Sequence, residues 1–385
     1  MKPKESKAGK KKTFRVALLG TKFMGKAHSQ AYRNVNMYFA DAPKVEMAVL
    51  CGRNADETEQ ARDAFGWTEA STDWRATIAR DDIDIVDVAT PGSMHCEMVI
   101  AAAKAGKHVV CEKPLANTLP EAKKMLKAVE TAGVKHFLMH NYRRVPAVAL
   151  AKRMIDDGRI GTIYHFHGRY MQDWAMSPDL ELVWRFDAKQ AGSGALGDLG
   201  AHSIDLARYL CGEVSELSAT TETFIKRRPV SAGSRKKVDV TVDDAVAMCL
   251  RFKNGAIGTI EASRFGAGRK NHNTFEINGS KGSLVFDLEN LNNLKYYSVD
   301  DQPDAQGFHE IIACSLGKHP YADNWWFDGH LLGYEHSFTH SVYDMLMALA
   351  KGRGTHPNFV DGVRNQQILD AAAKASKNRR WVKVG

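Results

Sequence analysis

Three groups of residues in this chain have the types and spacing to do chemistry. The first is Val109-Val110-Cys111-Glu112-Lys113-Pro114-Leu115, a short apolar run that ends in a carboxylate, an ammonium and a proline. Proline withdraws a ladder donor, so the run reads as the C-terminal end of a buried parallel strand, the edge where open α/β sheets carry their sites. A lysine held there is a candidate acid or charge stabiliser; the alternative is a strand-end ion pair before a turn. The second group is Gly197-Asp198-Leu199-Gly200-Ala201-His202, in which a glycine-rich loop becomes an amphipathic helix and Asp198 and His202, four apart, share one helical face. Such a pair can hold and transfer a proton, or be a packing or surface contact. The third is Gly20-Thr21-Lys22-Phe23-Met24-Gly25, a turn between an apolar run and a helical stretch. Its backbone N–H groups and the following helix N-terminus suit a pyrophosphate. Only its first and last glycines are kept, and Lys22 in the middle either lies away from the phosphates or pairs with one.

The elements that must position these groups follow a clear order. Strands are expected over 14–20, 45–50, 83–89, 108–111 and 134–139, separated by helical stretches that include 56–66, 98–105 and 120–132. Five or six strands alternating with helices predict a doubly wound parallel sheet. The second strand runs into Cys51-Gly52-Arg53-Asn54, so glycine stands where such folds usually carry an acid for the ribose. Arg53 could pair with a 2′-phosphate, favouring NADP, or stack on adenine, which serves either cofactor. The third strand ends in Thr90-Pro91 with His95 close behind, and the last in Asn141-Tyr142-Arg143-Arg144.

Beyond residue 142 a helix over 148–156 gives way to strands over 163–170, 217–225, 245–252, 257–263, 275–278 and 283–287. Asn254-Gly255 is a strong hairpin signal and Gly279-Ser280-Lys281-Gly282 a second turn. Consecutive strands predict a large, mostly antiparallel sheet with helices on one face, its open face free to join subunits into a homo-dimer or homo-tetramer. A helix over 361–376 and a last strand over 379–382 are expected to complete the core without chemistry. The division is therefore a disordered basic tail, 1–12; a dinucleotide-binding domain, 13–141; and a substrate-binding and oligomerisation domain, 142–385.

Composition narrows the class. At 385 residues, 44% hydrophobic and 25% charged, the chain is an ordinary globular protein of two domains. Its net charge is +8, but residues 1–12 hold six lysines against Glu5 alone, a net +5 that leaves only +3 for the rest. A nucleic-acid partner is therefore not expected, nor a membrane, since no apolar run is long enough to span one. The six cysteines show no paired spacing and fit reduced thiols in a cytoplasm. His336 and His340 stand four apart beside Glu335, but no metal-site motif accompanies them, and no metal is expected.

Gly20 to Gly25, Thr90-Pro91 with His95, Glu112-Lys113-Pro114, and Gly197 to His202 with Asp205 occur together in order, and the chain after its tail resembles the Gfo/Idh/MocA family, typified by glucose-fructose oxidoreductase and inositol dehydrogenase. The resemblance implies an N-terminal Rossmann domain, a C-terminal α/β domain with a large open sheet, and NAD(P)-dependent oxidation of a sugar or cyclitol hydroxyl. It implies a catalytic group of Lys113, Asp198 and His202: His202 as general base, Lys113 stabilising the developing alkoxide, and Asp198 orienting both. In the family the bond before the motif proline can be cis. The cofactor is expected to be NAD, with NADP the alternative, held by Gly20, Thr21, Lys22, Phe23, Met24, Gly25, Gly52, Arg53, Thr90, Pro91, His95, Lys113 and Asn141. Glu112 is expected to border the nicotinamide site.

Tyr142, Arg143, Trp184 and Arg185 join the catalytic group as expected substrate contacts, because aromatic faces and bidentate donors suit a polyhydroxylated ring. His336 is added from a late stretch rich in aromatics, 319–336, which is similar to the branch of the family acting on anhydrosugars and glycosides. The expected activity is oxidation of a ring secondary hydroxyl such as that at C3. The alternatives are an NADPH-dependent keto-sugar reductase and a catalytically silent, cofactor-bound sugar-binding protein.

Overall fold

The structure is a computed structural model and describes residues 12–354 and 356–385; all but the last residue of the expected basic tail lies outside them. Six strands, β1 (Thr13–Leu19), β2 (Lys44–Cys51), β3 (Glu69–Ser71), β4 (Ile85–Val88), β5 (His108–Cys111) and β6 (His136–Leu138), form a parallel sheet in the order β3-β2-β1-β4-β5-β6. This is the doubly wound order, with the crevice opening at the strands' carboxyl ends where β1 and β4 part direction. β4, Ile-Val-Asp-Val, is buried along its whole length, its apolar residues interrupted by the buried Asp87. β3 is a three-residue edge strand, Glu-Ala-Ser, with no such run, and the sequence gives no sign of it.

The second sheet has nine strands. β7 (Ile163–Met171), β8 (Val214–Glu222), β11 (Ala245–Phe252), β12 (Ile257–Ser263), β13 (His272–Gly279), β14 (Gly282–Asp287), β15 (Asn293–Ser298), β16 (His309–Ile312) and β17 (Val382–Lys383) run in the order β16-β15-β14-β13-β7-β12-β11-β8-β17, while β9 (Arg227–Pro229) and β10 (Lys237–Asp239) pair separately. Every pairing in it is antiparallel except β7 with β12. That seam brings the ends of β7 and β12 to one edge, beside the start of β13. Against expectation β8 spans 214–222 rather than 217–225, and β15 and β16 extend the sheet by two strands. No helix among the described residues is long and apolar enough to cross a membrane.

The division at 141/142 does not describe how the last helices pack. In the helix His336–Ala350, Phe338, Val342, Met345, Leu346 and Leu349 are buried with Phe14, Val16, Leu18 and Val35 of the first domain. The helix Phe359–Asn378, opened by a capping box between Asn358 and Asp361, puts Phe359 and Val363 into the first core and Ile368, Leu369 and Ala372 into the second. It is a shared wall.

Arg143, expected to contact substrate, is part of this joint. It lies on the 3₁₀ turn Asn141–Arg144, where consecutive side chains diverge by about 120°. Asn141 and Tyr142 face the cleft; Arg143 is buried behind it, donating to both oxygens of Asp205 (2.8 and 2.6 Å) and to Asp361 (3.2 Å). Burial raises both carboxyls, yet Arg143 outweighs it and holds them below the usual carboxylate range. Their stabilising contribution is therefore present above about pH 4, the unfolded-chain value, and is lost as pH falls below it. Arg143→Ala takes from the buried Asp205 its hydrogen-bonded cation and from Asp361 one of several partners, and is expected to lower the unfolding free energy by about 3–5 kcal/mol, with the acid loss starting at higher pH. Urea melts across pH 3–8 test this; a loss under about 1 kcal/mol would contradict the assignment.

Candidate active site

The carboxyl ends of the first sheet and the β7/β12 edge of the second enclose one cavity of about 1400 Å³. At its dinucleotide end β1 stops at Leu19 and Gly20 turns the chain with φ +129°. A Cβ on Gly20 would lie 2.5 Å from Ala89 O, and one on Gly25 would lie 2.1 Å from Gly20 O, so both glycines are required by close backbone approach. The helix Phe23–Tyr38 begins with no side-chain cap and no acid in its first turn, leaving its N–H groups free for an anion. Lys22 borders the cavity, exposed, and pairs there with Glu57 (2.6 Å). Gly52 can carry no side chain, since its Cβ would meet Thr58 Oγ1 at 2.3 Å; this accounts for the missing acid. Thr21, Phe23, Met24 and Arg53 line the cavity. A tight glycine turn, an uncapped helix end and a long crevice fit a dinucleotide.

Thr90 and Pro91 lie on the cavity wall, but the helix expected from residue 98 begins at Gly92, which places His95 inside its first turns. His95 touches the cavity while its ring is spent as a strut, Nε2 on Thr90 O (2.9 Å) and Nδ1 near Pro114 O (3.1 Å). Asn141 lines the cavity and donates to Ser337 Oγ (2.8 Å).

Where the two domains meet, the Lys113–Pro114 peptide is cis and Lys113 Nζ crosses the cleft, donating to Asp198 O (2.9 Å) and lying 3.3 Å from Oδ1. The other Asp198 oxygen accepts from Arg264 Nη2 (2.9 Å), with Arg185 Nε at 4.0 Å. Burial pushes the Asp198 carboxyl up, but the charges of Lys113, Arg264 and Arg185 outweigh it and hold the group well below the usual carboxylate range. Asp198 sits in a π-helical turn, Leu196–Gly200, rather than in the α-helix expected; the α-helix, Ala201–Cys211, starts just before His202. His202 is buried against the Tyr142 ring (centroids 4.4 Å) and its Nδ1 has no partner among the described residues. Burial, then the charges of Lys113 and His140, drive it far below an ordinary histidine, so it stands neutral and able to accept a proton.

A family model described as an oxidoreductase family with an NAD-binding Rossmann fold matches residues 14–140, and a GFO/IDH/MocA C-terminal domain model matches 148–285. Levoglucosan dehydrogenase of Pseudarthrobacter phenanthrenivorans is 42% identical over 382 residues, 96% of this chain and 97% of that one. This chain belongs to the Gfo/Idh/MocA family. Myo-inositol 2-dehydrogenase of Thermotoga maritima is 29% identical over 294 residues, 75% of this chain and 79% of that one. A levoglucosan dehydrogenase solved with NADH and levoglucosan superposes with a TM-score of 0.94 at 42% identity, covering 97% of this chain and 100% of that one. The chain is thus an NAD-binding oxidoreductase of the Gfo/Idh/MocA type.

At the far end of this Gfo/Idh/MocA site Tyr142, Trp184 and Arg185 line the cavity. Its polar wall, however, is largely made of residues the sequence reading missed. The Tyr142 hydroxyl lies 3.0 Å from that of Tyr170, which donates to Asn271 Oδ1 (2.6 Å); Gln172 Nε2 donates to the same oxygen (3.1 Å), and Trp174 Nε1 to Gln172 Oε1 (2.9 Å). Tyr170 is the penultimate residue of β7, Gln172 and Trp174 follow it, Arg264 follows β12 and Asn271 precedes β13, so the available signal was polar and aromatic residues at strand ends, as at Lys113. His336 is a correction: its Nδ1 accepts from Gly333 N (2.9 Å) and its ring packs on Trp325, while Tyr334 lines the cavity instead. His340 accepts from Trp325 Nε1 (2.7 Å), so the two histidines do not converge.

Because His202 is held neutral below its ordinary value near 6.5, log kcat/KM is expected to stay level from pH 8 down past about 6.5 and to fall only at lower pH. A limb at or above the ordinary histidine value that vanishes in His202→Asn would contradict this. Arg264→Leu removes one of the cations on Asp198 and is expected to lower kcat/KM about 10–100-fold, with NAD affinity in the absence of sugar unchanged.

Proposed function

We propose that the protein is an NAD-dependent dehydrogenase that oxidises a ring secondary hydroxyl of a sugar, anhydrosugar, glycoside or cyclitol, with C3 the first position to examine. The observation that carries the reading is Lys113 gripping Asp198 across the cleft with neutral His202 beside them, between a dinucleotide turn and a wall of hydroxyl, amide and indole groups. The names of its relatives, levoglucosan dehydrogenase and myo-inositol 2-dehydrogenase, support the substrate class.

The bound nicotinamide supplies the hydride acceptor. His202 takes the hydroxyl proton as the carbon–hydrogen bond breaks, and the Lys113 ammonium stabilises the negative charge gathering on that oxygen. Asp198, fixed by Arg264, holds Lys113 in place. The Tyr142–Tyr170–Asn271–Gln172 chain offers matched donors and acceptors to the remaining hydroxyls.

Arg53 favours a second reading, an NADPH-dependent reductase running the same chemistry backwards: it is exposed, borders the cavity beside Gly52, and makes no ion pair among the described residues. The open face of the large sheet, with outward His165, His167 and Arg169 on β7, is proposed as the surface through which copies form a dimer or tetramer.

Purified protein assayed with levoglucosan, glucosides and inositols against NAD and NADP is expected to reduce NAD with at least one sugar. Lys113→Ala is expected to lower kcat about 10²–10⁴-fold. No turnover with any sugar and either cofactor, or full activity in the variant, would reject the reading. Preference for NADPH with a keto-sugar would select the second, and a monomer in light scattering would reject the sheet interface.

A further inference from the structure

Beneath the cavity wall lies a cluster that the chemistry above does not use. His28, on the helix Phe23–Tyr38 and fully buried, points Nδ1 at Asp87 Oδ2 of β4 (2.8 Å) and Nε2 at Glu112 Oε1 just past β5 (2.9 Å). Tyr32 donates to the same Asp87 oxygen (2.8 Å), and the Lys113 N–H donates to Glu112 Oε2 (2.9 Å). A neutral imidazole has one donor, and an ionised carboxylate only accepts. Two carboxylates on both ring nitrogens therefore call for the imidazolium. Burial opposes that form, but Asp87 and Glu112 outweigh it and raise the His28 pKa, while His28 in turn holds Glu112 low against the same burial.

The unit thus carries two negative charges and one positive, a net −1 out of water. Stability alone is a poor account of it, since apolar residues of similar volume often serve a fold as well or better. Its position is more telling. Glu112 lines the same cavity as Gly20, Thr90 and Lys113, and its second oxygen holds the peptide from which Lys113 springs.

We infer that Asp87, His28 and Glu112 form an electrostatic positioning unit that fixes an ionised carboxylate on the cofactor wall and so favours the oxidised, cationic nicotinamide over the reduced, neutral one. Glu112 bears the charge toward the cofactor; His28 and Asp87 are positioning residues acting through it. The inference rests on the dinucleotide reading of the cavity and adds a bias between the cofactor's two redox forms.

The test is calorimetric titration of the full-length protein with NAD⁺ and with NADH, without sugar, each variant first checked by thermal melting. Glu112→Gln is expected to raise the ratio Kd(NAD⁺)/Kd(NADH) about tenfold. Asp87→Asn keeps an acceptor for His28 and Tyr32 and places its amide nitrogen where Oδ1 has no partner, so it is the gentler variant. It is expected to move the ratio in the same direction by a smaller factor, and it decides the matter if Glu112→Gln does not fold. Equal weakening of both cofactor forms, the mark of a purely structural cluster, or an unchanged ratio would overturn the inference. Wild-type protein that binds neither form would overturn the dinucleotide reading itself, and the inference with it.

Discussion

The site depends on one contact made across a gap. Lys113 belongs to a strand end of the first domain and Asp198 to a helical turn of the second, and the ammonium meets both the backbone carbonyl and the side chain of that aspartate. Each partner is fixed by its own domain: Lys113 by the turn after β5, Asp198 by the buried Arg264. Asp198 divides its single charge among three cations, so the pocket keeps a surplus of positive potential where an alkoxide would form. Preorganised charge of this kind needs no rearrangement at the moment of reaction.

The opposite wall has the opposite sign. The buried His28 lies between the two carboxyl groups of Asp87 and Glu112, while Lys113, Arg185 and Arg264 gather around the single carboxylate of Asp198. An alkoxide facing an oxidised nicotinamide is an ion pair that hydride transfer converts to two neutral species. A cleft polarised in this sense holds that ion pair on both sides.

The parallel sheet was legible because β1, β4 and β5 are largely buried and rich in β-branched and aliphatic residues, broken in β4 by Asp87 and followed within a few residues by glycine or proline. Residue type and spacing marked Lys113 and the Asp198–His202 pair only as candidates, each with a structural alternative, and it was the family resemblance that joined them into one group. Arg264 and Asn271 were not, for they act through a register, β7 beside both β12 and β13, that joins segments about a hundred residues apart. Arg143 misled for a local reason: a 3₁₀ turn separates it from its neighbour Tyr142 by a third of a rotation, and only the tertiary pairing with Asp205 and Asp361 fixes which side it takes. β3, β15 and β16 are short strands at or near sheet edges, with too little burial to leave a pattern.

The helices His336–Ala350 and Phe359–Asn378 carry a consequence for how the molecule comes into being. The apolar surface they cover belongs to elements made some two to three hundred residues earlier in synthesis. A nascent chain that has completed all six parallel strands still exposes that surface at the ribosome and must stay safe from association until the end of the message is read. A cofactor domain cut after β6 would leave the apolar residues that pack on these two helices, Phe14, Val16, Leu18 and Val35 among them, without their cover.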